Sequence, residues 1–294
     1  MFKLWKQEAK HPDGMSSRVS AREAATLKVV ACLRTDAGCQ REVNEDSVRY
    51  VKPNDPELSA SRGELAIVAD GMGGALAGEV ASRIAVEAVA RAYYEKAGEA
   101  QRALKLAFIE ANRQLYKASI SDESLRGMGT TCTALVLREG TAFAAYVGDS
   151  RLYLLRRGQI YLMTEDHSAV MEMVKHGVIT MQEARHHTDK NIILRALGVA
   201  PAIEVATWES SLQLQDGDQY LLCTDGLYDV VEDEEIKEVM SCAPDPQDSC
   251  GRLIALARER GGPDNITAAI IALRSARPFE VQSVRATCEV EIKR

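Results

Sequence analysis

The sequence predicts an α+β fold in which antiparallel sheets lie inside and helices cover them. Strand-like segments come in groups separated by pairs of helices, unlike the strict strand–helix alternation that builds a parallel sheet. Short turns of Glu-Gly, Gly-Asp-Ser and Arg-Gly join the central strands, as in an antiparallel meander. The 294 residues, 46% of them hydrophobic, suffice for one large domain or two small ones with a buried core.

The first half of the chain predicts three strands followed by two helices. Strands are expected where apolar and β-branched residues dominate, and helices where apolar residues recur every three or four positions. The predicted strands are residues 27–33, 47–51 and 64–70. A polar loop with two prolines is expected at residues 53–62. One helix is expected from residue 77, and a second over residues 100–119.

The second half predicts strands, then a charged helical segment, then strands and helices again. The meander comprises residues 130–138, 141–147, 151–157 and 159–163. Two short helices, residues 168–177 and 180–186, are rich in charge and His, as an exposed flap would be. The remaining predicted strands are 203–208, 218–224 and 266–273, and the remaining helices are 232–242 and 246–260.

Composition narrows the functional class. The net charge of −7 argues against non-specific nucleic-acid binding, and aromatic residues at 5% are too few for a base-stacking platform. The seven cysteines include no C-x-x-C pair, so neither a zinc site nor a redox motif is indicated. An odd number of scattered cysteines is typical of a reducing compartment. The sequence has no apolar stretch of membrane-spanning length and no signal-peptide core at its start. We therefore expect a cytoplasmic protein.

Four carboxylates stand where predicted strands begin or end. Asp70 and Asp225 each end an apolar run and precede Gly, which permits a tight turn and a close approach to a ligand. Asp46 and Asp264 precede strand-like segments. Carboxylates gathered from distant strands, without Cys or His beside them, suit hard cations such as Mg²⁺ or Mn²⁺. The pattern therefore indicates metal-assisted chemistry.

Taken singly, these motifs have ordinary explanations. Gly148-Asp149 between two predicted strands is common hairpin chemistry, and Asp70-Gly71 could be a plain turn. Cys132 to Arg138 matches the C-x5-R signature of cysteine-based phosphatases, but its intervening residues are mostly apolar and are typical of a strand. We therefore interpret Cys132 as a buried core residue.

Taken in order, the motifs carry a resemblance. R-x-x-N-E-D is followed by D-G-M-G-G, M-G-T-T, G-D-S-R, T-D-G and D-N, beginning at Arg41, Asp70, Met128, Gly148, Thr224 and Asp264. This series resembles the metal-dependent protein serine/threonine phosphatases of type 2C, specifically the bacterial branch, over about residues 27–273. The resemblance implies a four-layer α-β-β-α sandwich with two central antiparallel sheets and a metal site at one edge.

The resemblance also implies the metal ligands. Asp70 matches the carboxylate that bridges two metals, and the carbonyl of Gly71 matches a ligand of one of them. Asp225 and Asp264 match ligands of the second metal. Asp149, together with Asp225, matches a weaker third site. Two or three ions of Mn²⁺ or Mg²⁺ are therefore the expected cofactors.

Further roles follow from the same resemblance. Asp46 matches the acid that holds metal-bound water, with Glu45 beside it. Arg41 matches the arginine that binds the substrate phosphate, and Asn265 is expected to orient Asp264 or a bound water. Arg41, Asp46 and Asp70 are thus the expected catalytic residues. Met72 departs from the animal branch, where a histidine proposed as general acid occupies this position, so a metal-bound water is the expected proton donor here.

The implied activity is hydrolysis of phosphoserine and phosphothreonine in proteins by a metal-activated water, reversing a partner Ser/Thr kinase. The alternative is a non-catalytic phosphoprotein-binding relative, which would require the loss of a metal ligand. A monomer without nucleic-acid or membrane partners is expected. The catalytic domain should span residues 27–274, with a flap at about 167–198. Residues 1–26 are expected to form a flexible extension and 275–294 a tail.

Overall fold

The computed structural model describes residues 27–73, 77–96, 98–243 and 245–275. The expected extension at 1–26, nearly all of the expected tail and the last glycine of D-G-M-G-G lie outside the described residues. The proposed domain boundaries remain a prediction.

The strands form two antiparallel sheets, as predicted. The five-stranded sheet has the order β1-β12-β11-β7-β8, and the seven-stranded sheet has the order β10-β6-β5-β3-β2, with β4 paired to β3 and β9 to β6. In chain order, the strands are β1 Leu27–Asp36, β2 Asp46–Val51, β3 Glu64–Met72, β4 Gly129–Thr130, β5 Cys132–Arg138, β6 Thr141–Val147, β7 Arg151–Arg156, β8 Gln159–Leu162, β9 Ala206–Thr207, β10 Leu212–Gln213, β11 Gln219–Cys223 and β12 Ile266–Ser275.

Helices cover the outer face of each sheet. They are α1 Pro56–Arg62, α2 Ala77–Glu95, α3 Ala100–Ser121, α4 Ala169–Lys175, α5 Met181–Arg185, α6 Asp225–Tyr228, α7 Asp233–Cys242 and α8 Pro246–Glu259. One hydrophobic core joins α2 and α3 to the seven-stranded sheet, and another joins α7 and α8 to the five-stranded sheet. Because strands of the two sheets also contact each other, the four-layer α-β-β-α prediction is confirmed.

None of the helices in the described part of the chain combines the length and apolarity needed to cross a bilayer.

The alternation of side chains along the strands determines what lies between the sheets. In β3, Leu65, Ile67 and Ala69 belong to the helix-facing core, so Asp70 points to the other face, toward the second sheet. In β12, Ile266 and Ala268 belong to the other helix-facing core, which turns Thr267 toward the inter-sheet space. The period of two therefore delivers polar side chains from both sheets into one layer.

The predicted meander is wrong at one connection. β5 pairs with β6 and β7 with β8, but β6 and β7 lie in different sheets. Gly148, with φ of 99°, opens the segment that carries the chain from one sheet to the other. Asp149 therefore occupies a crossover between sheets rather than a hairpin, a difference that Gly-Asp chemistry alone does not reveal.

Local capping explains a helix that the sequence pattern did not predict. Residues 53–62 were expected to be a loop, but α1 occupies most of them. The Asp55 carboxylate accepts hydrogen bonds from the N–H groups of Glu57 and Leu58, and Pro56 fills the first helical position. Gly63 ends the helix at φ of 73°. The signal was present as Asp-Pro before the segment and Gly after it.

Two predicted strands differ from the structure, and two short elements were not predicted. The expected strand at 130–138 is interrupted between β4 and β5, and the expected strand at 203–208 is reduced to the two residues of β9. The short strand β10 and the one-turn helix α6 were not predicted. The remaining predicted strands and helices, including both helices of the flap segment, are confirmed to within a few residues.

Candidate metal centre

Asp46 and Asp70 stand opposite each other in the seven-stranded sheet. They are register partners in the antiparallel pairing of β2 with β3, so their side chains share one face. Asp46 is 7% exposed. Contrary to the sequence-based expectation, Asp70 does not end its strand, because β3 continues through Gly71 and Met72, which pair with β4.

Two threonines of the M-G-T-T motif hold the backbone of Asp70. The Thr131 hydroxyl accepts the Asp70 N–H at 2.9 Å, and the Thr130 hydroxyl donates to the Asp70 carbonyl at 2.8 Å. The Thr131 N–H donates to the same carbonyl at 2.9 Å. The paired hydroxyls of this motif therefore position the central carboxylate, a role that the sequence pattern alone does not predict.

Gly71 is required by crowding rather than by an unusual dihedral angle. A Cβ at this position would lie 2.1 Å from the Gly78 carbonyl oxygen and 2.7 Å from that of Glu45. The Gly71 N–H donates to the Glu45 carbonyl at 3.1 Å. A Cβ on Gly78 would in turn lie 2.3 Å from the Glu45 Oε1. Glycine therefore lets three backbone segments converge around the candidate site.

Asp225 reaches the site at the start of α6, after β11. Close packing brings this turn against the start of β12, since a Cβ on Gly226 would lie 2.0 Å from the Asn265 carbonyl oxygen. The Asp264-Asn265 and Asp225-Gly226 motifs are therefore neighbours, although about forty residues separate them in the chain. The five-stranded sheet thus contributes its own two acids to the same region.

The side chain of Asn265 hydrogen-bonds to the loop that carries Arg41 and not to Asp264, one of its two expected partners. Its Nδ2 donates to the carbonyls of Ala37 and Val43, and its Oδ1 accepts the Glu45 N–H at 2.8 Å. Only its backbone N–H reaches the Asp264 carboxylate.

Arg41 lies at the same edge and pairs with Asp264. Its Nη2 donates to the Asp264 Oδ2 at 2.8 Å, with the two side chains 49% and 31% exposed. Hydrogen bonding to Asp264, followed by its charge, raises the pKa of the guanidinium above its already high value. The structure therefore brings the expected phosphate-binding arginine beside an expected ligand.

The crossover segment presents Asp149, which is 5% exposed. The Gly148 N–H donates to His167 Nδ1 at 3.1 Å, and the backbone N–H of His167 donates to the Gly148 carbonyl. The Tyr228 hydroxyl donates to the Asp149 carbonyl at 3.2 Å. Asp149 is thus held between the start of the flap segment and the end of α6.

Burial and mutual repulsion dominate the electrostatics. Burial, then the charges of Asp225, Asp46, Asp149 and Asp264, hold the pKa of Asp70 well above its usual range. Burial and the same kind of neighbours act on the pKa of Asp225 in the same direction. Burial raises the pKa of Asp46 to about 7, against the lowering effect of two threonine hydroxyls. The acids therefore share one electrostatic neighbourhood.

The donor set fits a hard divalent cation. Glu45 Oε1, Asp46 Oδ1 and Asp225 Oδ1 are buried carboxylate oxygens that have no hydrogen-bond partner in the part of the chain that the structure describes. Buried acceptors of this kind are costly unless a proton or cation compensates them. Within the described ranges, however, no three His, Cys, Asp or Glu side chains form a finished ligand set. The Asp264 carboxylate is instead paired with Arg41. The unpartnered buried oxygens nevertheless favour a cation at this position.

Comparison with known proteins matches most of the chain to one family. Residues 40–255, more than half of the chain, match the family model described as Protein phosphatase 2C. The serine/threonine phosphatase stp of Listeria monocytogenes is 38% identical over 245 residues, covering 81% of this chain and 93% of the relative.

Solved structures lead to the same family. The catalytic domain of the serine threonine protein phosphatase PstP, in complex with two manganese ions, superposes with a TM-score of 0.73 at 36% identity, covering 85% of this chain and all of that one. The Streptococcus agalactiae serine/threonine phosphatase has a TM-score of 0.75 at 33% identity, with 83% and 99% coverage. The chain belongs to the protein phosphatase 2C family.

Proposed function

We propose that this protein hydrolyses phosphoserine and phosphothreonine in other proteins, using Mn²⁺ or Mg²⁺. The observation that carries the proposal is the group of buried carboxylates at the edge of the two sheets, three of whose oxygens have no hydrogen-bond partner among the described residues. Two relatives above 30% identity, from different bacterial genera, are named as serine/threonine phosphatases. The proposed chemistry follows from that donor set in a chain of this family.

The ligands are proposed residue by residue. Asp70 would contact both of two cations, the Gly71 carbonyl would be a ligand of one of them, and Asp225 and Asp264 would be ligands of the second. Asp149 would add a third, weaker site beside Asp225. When bound, the cations activate water for attack on phosphorus and offset charge on the phosphoryl oxygens.

Arg41 is proposed to bind the substrate phosphate. Its guanidinium is half exposed at the edge of the site, and arginine can bind phosphate through two parallel hydrogen bonds. The guanidinium donates a hydrogen bond to Asp264, one of the proposed ligands, which supports a role beside the proposed cations. We expect Arg41→Ala to raise the KM for a phosphopeptide at least about tenfold, and Arg41→Lys to recover only part of the loss.

No protein nucleophile is needed for this reaction. Cys132, the only rival suggested by the C-x5-R pattern, lies inside β5 with 0% exposure. Burial raises the pKa of its thiol far above neutral, so the reactive thiolate is suppressed. This environment favours attack by water over a cysteine mechanism.

Phosphorylated proteins, including the targets of a partner Ser/Thr kinase, are the proposed substrates of a monomeric enzyme. A cytoplasmic setting is proposed from the thiols, because the six cysteines in the described part of the chain are all free.

The decisive experiment is hydrolysis of a phosphothreonine peptide across a Mn²⁺ titration, with chelator and Asp225→Asn as controls. Activity should require Mn²⁺ and fall at least about a hundredfold in the variant. If folded wild-type protein shows no turnover at saturating Mn²⁺ but retains phosphopeptide binding, the non-catalytic alternative replaces this proposal.

A further inference from the structure

Asp46 uses its two carboxylate oxygens differently. Oδ2 accepts hydrogen bonds from the Thr224 hydroxyl at 2.7 Å and from the Thr267 hydroxyl at 2.6 Å. Oδ1 is buried and has no hydrogen-bond partner within the described residues. Both threonines are 0% exposed, so water does not compete for these bonds. The carboxylate is therefore fixed through one oxygen and open through the other.

The hydrogen bonds behind Thr267 run in one direction. Each hydroxyl has a single proton, and an ionised carboxylate can only accept. Since the Thr267 proton is given to Asp46, the 2.8 Å contact between Thr267 and Thr35 requires Thr35 to donate. Asn44 Nδ2 in turn donates to the Thr35 oxygen at 2.8 Å. All three hydrogen bonds donate in the direction of Asp46, and consecutive hydrogen bonds of this kind strengthen one another.

This chain of hydrogen bonds connects the two sheets. Asp46 belongs to β2, whereas Thr35 and Thr267 are register partners on β1 and β12 of the other sheet. Thr224 directly precedes α6, and its hydroxyl also accepts the Thr267 N–H at 3.1 Å. Asp46 is therefore held relative to the strand ends that carry Asp225 and Asp264.

We propose that Thr267 is a positioning residue for Asp46: with Thr224 and Thr35 it fixes Oδ2, so that Oδ1 is the atom directed to a cation or its bound water. This inference rests on the proposed function. Partners behind a ligand that set its orientation typically change metal affinity or activity by about 10–100-fold when removed. Thr267 acts through Asp46 and does not itself touch the reacting atoms.

The test compares Thr267→Val, which keeps the volume but loses the donor, with Thr267→Ser, which keeps the donor. Binding of Mn²⁺ to the full chain is followed by the electron paramagnetic resonance of free Mn²⁺, and kcat and KM are measured on a phosphothreonine peptide. We expect Thr267→Val to weaken Mn²⁺ binding about 10–100-fold and to lower kcat at saturating Mn²⁺ with KM unchanged. Thr267→Ser should recover most of the loss.

A matched control separates positioning from stability. Thr164 is 3% exposed, and its hydroxyl accepts the Leu152 N–H, so Thr164→Val removes a buried hydroxyl that is not bonded to Asp46. Its Mn²⁺ binding and kcat should stay at wild-type values. If folded Thr267→Val binds Mn²⁺ and turns over within twofold of this control, the positioning role is wrong.

Two further results also decide the question. If Thr267→Val does not fold, Thr35→Val tests the preceding link at an exposed position and should still weaken Mn²⁺ binding severalfold. Wild-type affinity in Thr35→Val would then overturn the proposal. If the wild-type protein neither binds Mn²⁺ nor hydrolyses the phosphopeptide, both the proposed function and this inference are wrong. If the wild type is active but the variants behave like the control, only the role of Thr267 is wrong.

Discussion

At the scale of single residues, the site places like charges together in a poorly solvated space. After the larger effect of burial, the charge of Asp225 raises the pKa of Asp70, and the charges of Asp149 and Asp264 raise the pKa of Asp225. A carboxylate whose pKa is higher in the folded than in the unfolded chain favours folding at acid pH, and this contribution is lost as pH rises through the folded pKa. The metal-free protein should therefore lose stability between mildly acid and neutral pH.

Asp70→Asn should separate stability from activity. Removing one charge relieves the repulsion, so in chelator at about pH 7.5 we expect the variant to melt higher than wild type, by about 2–4 °C for each kcal/mol relieved. Turnover with Mn²⁺ should be abolished. Calorimetry in chelator checks the first part, and a variant that melts below wild type would contradict it. Glu87→Gln, at an exposed position inside α2, serves as the charge-matched control.

His167 gives a pH dependence of the opposite sign. Burial lowers its pKa to about 4 from an ordinary 6.5, and its Nδ1 accepts the Gly148 N–H. Between these values the unfolded chain binds more protons, so folding weakens as pH falls, by about 3 kcal/mol once pH is below about 4.

We expect His167→Asn, which keeps an acceptor but does not titrate, to lack this loss. Urea unfolding of both proteins in chelator from about pH 4 to 7 measures the difference, in which the contributions of the acids cancel. Parallel pH profiles for the two proteins would show that His167 is not the group responsible.

The sequence located the acids and could not locate their partners. Asp70 and Asp225 were readable because each follows an apolar run and precedes Gly. The bonds from Thr224 and Thr267 to Asp46 join positions 178 and 221 residues apart, and only the facing of two sheets creates them. Local sequence carries no signal for such contacts, so the acids were predicted and their supports were not.

At the scale of elements, the shortest pieces were the hardest to predict, and one of them, α6, carries Asp225. β9 and β10 have two residues each and α6 has four, too few for a hydrophobic period to appear. The long helices α2 and α3 were predicted because a repeating apolar face extends over about five or more turns. The crossover at Asp149 was misread because a hairpin and a change of sheet share the same turn residues.

Two glycines should respond oppositely to the same substitution. Gly226→Ala places a Cβ 2.0 Å from the Asn265 carbonyl oxygen. We therefore expect the free energy of unfolding to fall by about 1–3 kcal/mol and the activity to be lost as well. Gly251 lies inside α8, where an added methyl group would have nothing within 4 Å, and Gly251→Ala should add about 0.5–1 kcal/mol. Urea unfolding measures both, and equal effects would contradict the packing argument.

At the scale of the whole molecule, both sheets contribute acids to one centre, so cation binding should stabilise the entire fold. A ligand that binds only the folded state at about one hundred times its Kd adds about 2.7 kcal/mol. We expect Mn²⁺ to raise the Tm by about 5–10 °C and chelator to reverse the rise. Mn²⁺ should raise the Tm of Asp225→Asn much less than that of the wild type. An equal rise in both proteins would show that the stabilising ion binds away from Asp225.

The pairing of β1 with β12 has a consequence for how the chain is made. β1 is the first described strand, and its ten register partners all lie in the last one, which itself sits between β1 and β11. Among the described strands, β1 therefore has no partner in its sheet until β12 has been synthesised. Contacts of such long sequence separation form slowly. The nascent protein must therefore keep an apolar edge strand shielded for most of its translation, and Asp264, at the entry to β12, joins the other acids last.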